Sequence, residues 1–96
     1  MFSKDLEHSI HRAYQLAREA RHEYMTVEHL LLVLLDNPAA LEVLRACQAD
    51  TGRLRRELEQ AIDESVSRLA EDDGRDTQPT IGFQRVLQRA VYNVQS

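Results

Sequence analysis

Two histidines and two glutamates lie close together in the first third of this sequence. His22 and Glu23 are adjacent, and Glu28 and His29 follow after a short gap. Imidazole and carboxylate groups in such a cluster could bind a metal, transfer protons or form a charged docking surface. A zinc-protease helix carries two histidines four positions apart with a glutamate beside the first. Here the histidines are seven positions apart, so the spacing favours docking over metal chemistry.

The cluster is positioned by a bend and by the apolar helix that follows it. Thr26 suits the N-cap of that helix, because its hydroxyl can accept a hydrogen bond from an unpaired backbone N–H. Met25 and Leu30 form a candidate hydrophobic staple, and Glu28 lies in the first turn, where the helix dipole favours a negative charge. The run to Leu35 is so apolar that we expect this helix, with Leu31 included, at the centre of a bundle.

Hydrophobic spacing predicts five helices and an all-α bundle. No segment shows the strict alternation of a strand, and the composition of the polar stretch Glu71–Thr80 predicts a solvated loop. Cys47 falls on an apolar face and is expected in the core. The predicted helices, with their caps, are about Lys4–Ala20 (Ser3), Val27–Leu35 (Thr26), Pro38–Cys47 (Asn37), Thr51–Leu69 (Asp50) and a fifth from Thr80 onward.

The fifth predicted helix resembles the first, which suggests an internal repeat. Each has a cap, an apolar stripe and an Arg-Ala pair in the same order. The stripes that align are Leu6, Ile10, Ala13, Tyr14 and Ala17 with Phe83, Leu87, Ala90, Val91 and Val94. We therefore expect one domain over residues 1–96, with a first repeat at about 1–70, a loop at 71–79 and the start of a second repeat at 80–96.

Composition and missing motifs narrow the possible functions. The net charge of −4 argues against nucleic acid as the main partner. The longest apolar run, Leu30–Leu35, is far shorter than a membrane span needs, and a single cysteine suits a reducing compartment. A cytoplasmic protein is therefore expected. With no Gly-rich phosphate loop and no recognisable catalytic triad, we expect no catalytic, cofactor or metal residues. A metal-dependent enzyme that recruits Asp63 or Glu64 to the histidines is the minor alternative.

Two blocks carry a resemblance to a known family. The blocks are MTVEHLLLVLLDNP at Met25–Pro38 and DTQPTIGFQRVLQRAVYNVQS at Asp76–Ser96. They resemble the Clp repeat N-terminal domain of Clp/Hsp100 ATPases, most of all the ClpA type, which works with the Clp protease. The resemblance implies a helical pseudo-repeat, of which this sequence would supply the first four-helix repeat and the first helix of the second.

The resemblance also implies partners and site residues. Family members recruit proteins to an ATP-dependent unfoldase and dock a ClpS-type adaptor. By position, the adaptor-facing residues would be Glu23 and Glu28 at the bend and Thr80 and Arg85 at the start of the fifth helix. Protein substrates and, through the full-length hexamer, the Clp peptidase are the further partners implied. ATP and Mg would belong to other parts of the parent protein.

The sequence thus predicts an adaptor- and substrate-docking domain that acts by binding. The alternative is a stand-alone helical module that associates with itself. That alternative rests on the fifth helix, whose stripe at Phe83, Leu87 and Val91 would be exposed if it lacked packing partners. The state of association in solution discriminates between the two.

Overall fold

The computed structural model describes the backbone of residues 4–95 and the side chains of residues 4–92. The predicted cap Ser3 and the predicted stripe residue Val94 therefore lie outside the described side chains. The elements, in chain order, are α1 (Lys4–Glu19), β1 (Tyr24–Met25), α2 (Val27–Leu34), α3 (Pro38–Ala46), α4 (Thr51–Ser65), β2 (Gln78–Pro79) and α5 (Ile81–Gln95). The prediction of an all-α fold with five helices is confirmed.

Helix α2 is the central element, as its apolar sequence predicts. It packs against α1 on one side and α4 on the other. The first core cluster joins α1, α2 and α5 through Ala13, Ala17, Met25, Leu30, Val33 and Phe83. The second joins α2 to α4 through Leu32, Leu35, Leu58 and Ile62. Met25 and Leu30 lie in the same cluster, which agrees with the predicted staple.

Three predicted caps are made by side chains. Asn37 accepts hydrogen bonds from the N–H groups of Ala39 and Ala40 at 2.9 and 3.1 Å. Asp50 accepts from the N–H of Arg53 at 3.0 Å. These short polar side chains satisfy backbone donors that the first helical turn leaves unpaired, which fixes where α3 and α4 begin. The third, at Thr80, belongs to the site and is described there.

Two residues predicted to be core are exposed instead. Leu31 is 43% exposed, because α1 and α4 cover two sectors of α2 and leave a third sector open to solvent. Cys47 is exposed as well. It follows α3, whose nine residues, all within the described part of the chain, are at best half-buried. Both errors come from assuming that every apolar position on these helices meets a neighbour.

The fifth helix packs against the rest of the described structure through its predicted apolar stripe. Phe83 is almost fully buried in the first core cluster, and Leu87 packs against that cluster. The large apolar residues that α5 exposes are instead Ile81, Val86 and Tyr92. Val91 is half-buried. The stripe that begins at Phe83 therefore faces α1 and α2, and the exposure of Phe83 on which the self-association alternative depended is not found.

A short parallel ladder was not predicted. Tyr24 of β1 pairs with Gln78 of β2, and Met25 pairs with Pro79. Two-residue strands are too short to show the period-two alternation by which strands are recognised in a sequence. The stretch Glu71–Thr80 is therefore only partly the solvated loop that was expected, and Thr77 within it is 3% exposed.

Helix α4 is shorter than predicted. It ends at Ser65, and Val66 is extended with φ −110° and ψ 122°. The next residues pair with the bend between α1 and α2: the Glu23 N–H donates to the Ser67 carbonyl at 2.8 Å, and the Leu69 N–H donates to the Arg21 carbonyl at 2.6 Å. These pairings replace the helical hydrogen bonds that Leu69 would otherwise make. None of the described helices combines the length and apolar character of a membrane span.

Candidate functional site

The bend from Ala20 to Thr26 begins with a tight helix ending. The His22 N–H donates to the Ala17 carbonyl at 2.9 Å, and the Arg21 N–H donates to the Arg18 carbonyl at 3.0 Å. This is the Schellman pattern, which requires a left-handed residue just beyond the helix. Arg21 fills that position with φ 59°, although glycine is the usual choice there. The chain therefore reverses sharply and turns His22 inward.

Arg21 also ties the bend to a distant part of the chain. Its Nη2 atom donates to the carbonyl oxygens of Ala70 and Asp73 at 2.5 and 3.1 Å. Its own carbonyl accepts from the Leu69 N–H. The segment after α4 is thus held against the bend by both the backbone and the side chain of one residue.

The two histidines of the predicted polar cluster are interior residues. His22 is 6% exposed and His29 is 0% exposed. Their rings are in contact, with His22 Nδ1 and His29 Nε2 2.9 Å apart. The expectation that both histidines belong to a surface cluster is therefore wrong. A buried imidazole needs partners for its two nitrogens, and each ring supplies one to the other.

The Thr26 backbone fixes which histidine nitrogens carry protons. The Thr26 N–H donates to His29 Nδ1 at 2.9 Å, so Nδ1 is an acceptor and the His29 proton lies on Nε2. His29 Nε2 then donates to His22 Nδ1, which leaves the His22 proton on Nε2. Thr26 occupies the N-cap position of α2, as predicted. Its hydroxyl lies 3.0 Å from His29 Nδ1. The backbone N–H of His29 donates to the Thr26 carbonyl at 3.1 Å.

Burial lowers the pKa of both imidazoles. Burial, and then the charge that His22 would carry, lower the pKa of His29 to about 4, although Glu28 opposes the shift. Burial and Arg68 lower the pKa of His22, and Asp63 opposes them. Neutral rings fit the chain of hydrogen bonds from Thr26 to His22. His29 Nδ1 and His22 Nδ1 both accept in that chain, so a further proton on either nitrogen would break a hydrogen bond.

A cleft of about 380 Å³ lies beside the histidine pair, between α1, α2 and α4. Leu16, Leu32 and Ile62 supply apolar walls. His22 Nε2 is buried without a hydrogen-bond partner among the described residues. Asp63, the carboxylate considered for a metal site, also lines this cleft. Within residues 4–92, no group of three histidine, cysteine, aspartate or glutamate side chains could hold a metal ion.

The two candidate docking carboxylates differ in their surroundings. Glu23 is half-buried, and its Oε1 atom lies 3.4 Å from Arg75 Nη1. Its backbone is paired on both sides, since its N–H donates to Ser67 and its carbonyl accepts from Gln78 at 3.1 Å. Glu28 lies in the first turn of α2, where the helix dipole favours its charge. It is half-buried, and its carboxylate makes no hydrogen bond or ion pair with another described residue.

The two candidate residues on α5 also differ. The Thr80 hydroxyl accepts the Phe83 N–H at 3.1 Å, so the predicted cap is confirmed. Arg85 lies in the next turn and is exposed, and within the described chain it has no ion-pair partner. It lines a shallow hollow with Gly82, Val86, Arg89 and Ala90. Thr80 therefore stabilises the start of α5, whereas the Arg85 side chain is exposed and could bind another molecule.

The ladder brings part of this set together. The Gln78 N–H donates to the Glu23 carbonyl at 3.1 Å, and the Thr80 N–H donates to the Met25 carbonyl at 3.0 Å. The bend and the start of α5 are thus neighbours although they are far apart in sequence. Sequence reasoning missed the residues that hold them together, above all Thr77, whose hydroxyl donates to the His22 carbonyl at 2.7 Å. The only sequence signal for Thr77 was its position in the DTQPT segment, which belongs to the second block of the family resemblance.

Comparison with known proteins gives consistent matches. The model of the Clp repeat (R) N-terminal domain family matches residues 1–96. The chain is 47% identical to the ClpA homolog protein of Fuscovulum blasticum over 96 residues, which cover 99% of the chain and 12% of the relative. It is 30% identical to the chaperone protein ClpB of Chlamydia pneumoniae over 91 residues, which cover 93% of the chain and 10% of the relative.

The chain therefore spans only about a tenth of the length of these relatives. The family match, in contrast, extends over the whole chain and agrees with the helical fold. On these grounds the chain belongs to the Clp repeat (R) N-terminal domain family.

Proposed function

We propose that this chain is the adaptor- and substrate-docking domain of a ClpA-type unfoldase. The bend, with Glu23 and Glu28, and the start of α5, with Thr80 and Arg85, would form one surface for a ClpS-type adaptor. The observation that carries the proposal is the β1–β2 ladder, which makes these two segments neighbours. Nucleotide hydrolysis with ATP and Mg, and the link to the Clp peptidase, would belong to the rest of a full-length, cytoplasmic protein.

The electrostatics of the surface support this function. Glu23 and Glu28 offer partly exposed carboxylates, while Arg85 offers a cation that pairs with none of the described carboxylates. Charges at the edge of an interface mainly set its orientation and association rate. A partner with a cation facing the bend and an acceptor group facing α5 would match the surface.

Calorimetric titration with a purified ClpS-type adaptor tests the proposal. Glu23→Lys replaces the bend carboxylate with a cation, so we expect at least a tenfold loss of affinity at physiological salt, with helix content unchanged. Glu42→Lys makes the same charge change at an exposed position of α3, away from the bend, and should leave the affinity unaltered. A folded wild-type chain that gives no saturable heat would contradict the adaptor role.

The α5 residues need variants that separate binding from stability. Arg85→Ala should weaken adaptor binding severalfold without changing the melting temperature, because the Arg85 side chain makes no hydrogen bond or ion pair with another described residue. Thr80→Ala would remove the cap as well, at a cost of about 1 kcal/mol. Thr80→Ser retains the hydroxyl and therefore isolates the contribution of the methyl group. Equal binding by Arg85→Ala and wild type would remove Arg85 from the surface.

Self-association is the second candidate function, and the exposed side of α5 favours it. Ile81 is 68% exposed, Val86 is 49% exposed and Tyr92 is 71% exposed. Ile81 and Tyr92 lie about 20° apart around the helix axis, whereas Val86 lies on another side of α5. The patch at Ile81 and Tyr92 can pair with a second copy. Sedimentation velocity over a range of concentrations tests this: a dimer that Ile81→Glu dissociates would support it, and a monomer at all concentrations would exclude it.

A further inference from the structure

Arg75 is a cation of the chain itself that already contacts the candidate docking carboxylate Glu23. Its Nη1 atom lies 3.4 Å from Glu23 Oε1. The same side chain also holds Asp73, at 2.8 Å through Nη2 and at 3.1 Å from Nε to each carboxylate oxygen. Asp73 is therefore the closer partner, and Glu23 takes the remaining, weaker contact.

The contact lies at a recess that opens beside the ladder. The recess has a volume of about 280 Å³ and is lined by Glu23, Tyr24, Leu69, Arg75, Asp76 and Gln78. The Tyr24 side chain is 44% exposed, and an aromatic ring beside a carboxylate suits a cationic guest. The recess thus combines the exposed ring of Tyr24, the partly exposed carboxylate of Glu23 and the exposed cation of Arg75.

The other carboxylate in the recess is already engaged. Asp76 accepts the Tyr14 hydroxyl at 2.7 Å and lies 3.2 Å from Arg18 Nε. These contacts, of which the Tyr14 hydrogen bond is the largest cause, lower the pKa of Asp76. Glu23 is therefore the carboxylate of this recess that is most open to exchange.

We propose that the recess takes a cationic side chain of the docking partner and that this side chain displaces Arg75 from Glu23. The inference rests on the proposed docking function and adds a mechanism to it. After the exchange, Arg75 still pairs with Asp73 and Glu23 pairs with the partner's cation, so neither side chain is left without an ion-pair partner. Arg75 is then an internal competitor that lowers the affinity of the surface and selects partners with a well-placed cation.

Two variants with opposite expected effects test the exchange. Arg75→Gln removes the competitor, so the ClpS-type adaptor should bind about two- to fivefold more tightly, the range expected for an exposed ion pair. Asp73→Asn removes the closer partner of Arg75 and leaves this cation to Glu23, so the adaptor should bind more weakly. A loop that only needed Arg75 for its structure would weaken binding in both variants.

The matched control is Arg53→Gln, which breaks an exposed pair with Glu57 at 3.0 Å on α4 and should leave binding unchanged. In a Glu23→Gln background, Arg75→Gln should have no effect, because the carboxylate that is competed for has gone. Circular dichroism confirms the helix content of each variant.

The outcomes separate the inference from the function on which it rests. If the wild type binds the adaptor and Arg75→Gln binds it equally well or more weakly, the exchange is overturned and the docking function stands. Absence of binding by both the wild type and Arg75→Gln would overturn both. Tighter binding by Arg75→Gln with weaker binding by Asp73→Asn is the result we expect.

Discussion

Two bends in this molecule share one backbone geometry and differ in almost everything around it. The bend after α1 places Arg21 at φ 59°, and the bend after α3 places Gln48 at φ 59°. Both helices end in the Schellman pattern, since the Ala49 N–H donates to the Leu44 carbonyl at 3.0 Å, as His22 does to Ala17. Local structure alone therefore does not distinguish the bend proposed for docking from a simple connector.

The difference lies in what reaches each bend from elsewhere in the chain. Arg21 bonds to Ala70 and Asp73, and the ladder and the buried histidine pair lie immediately beyond it. Gln48 is exposed, and its side chain bonds to no other described residue. The candidate site is found at the bend on which distant segments converge, which gives it a defined shape.

The largest expected effect comes from removing the interior of the first bend. His29→Ala would delete the acceptor of the Thr26 N–H, leave His22 Nδ1 unpaired and open a cavity. We expect a loss of about 3 kcal/mol in the free energy of unfolding, measured by urea denaturation. His11→Ala, at an exposed position of α1, is the control and should change stability little. A loss as small as that of the control would mean that the pair does not hold the bend.

Acid should weaken the first bend through the same pair. The folded-state pKa of His29 is about 4, below its ordinary value of 6.5, so the unfolded chain binds more protons between these values. The stabilising contribution is then complete above pH 6.5 and is lost as the pH falls to 4, by about 2 to 3 kcal/mol. Urea titrations across this range measure it, and His29→Gln should flatten the dependence. An equal slope in that variant would assign the acid effect to other groups.

Glycine at the two left-handed positions should give small effects of opposite sign. Gln48→Gly relieves the left-handed strain and should stabilise the fold by about 0.5 to 1 kcal/mol. Arg21→Gly relieves the same strain but loses both side-chain hydrogen bonds to the segment after α4, so a net loss of about 1 kcal/mol is expected. Thermal melts of both variants measure the difference. Stabilisation by both would show that the Arg21 side chain contributes little.

The parts of the fold that depend on neighbouring residues could be predicted from the sequence. The caps at Asn37, Asp50 and Thr80 and the central position of α2 were predicted correctly, because each depends on residues within one or two helical turns. The end of α4 and the exposure of Leu31 could not be predicted, because they depend on which distant segment covers them. The docking roles of Glu23, Glu28, Thr80 and Arg85 come from family resemblance and stay predictions.

The candidate site shows the same division. Sequence spacing placed the two histidines beside the two glutamates but could not show that the rings turn inward while the carboxylates stay near the surface. His22 is turned inward by the left-handed Arg21, a conformation that an arginine in a sequence does not indicate. His29 is turned inward by its position in α2. The role of Arg75 was also hidden, because it depends on the loop returning to β1.

The two-residue ladder has a consequence for how the protein acquires its surface during folding. It joins Tyr24 to Gln78, 54 positions later in the chain. Closing such a loop costs conformational entropy, which is offset only by contacts that form after the two ends meet. The bend and α2 are local structures that can form early, whereas β2 and the start of α5 join them only in this late step. A nascent or partly folded chain would therefore display half a surface, and recognition that needs both halves would be restricted to molecules whose folding is complete.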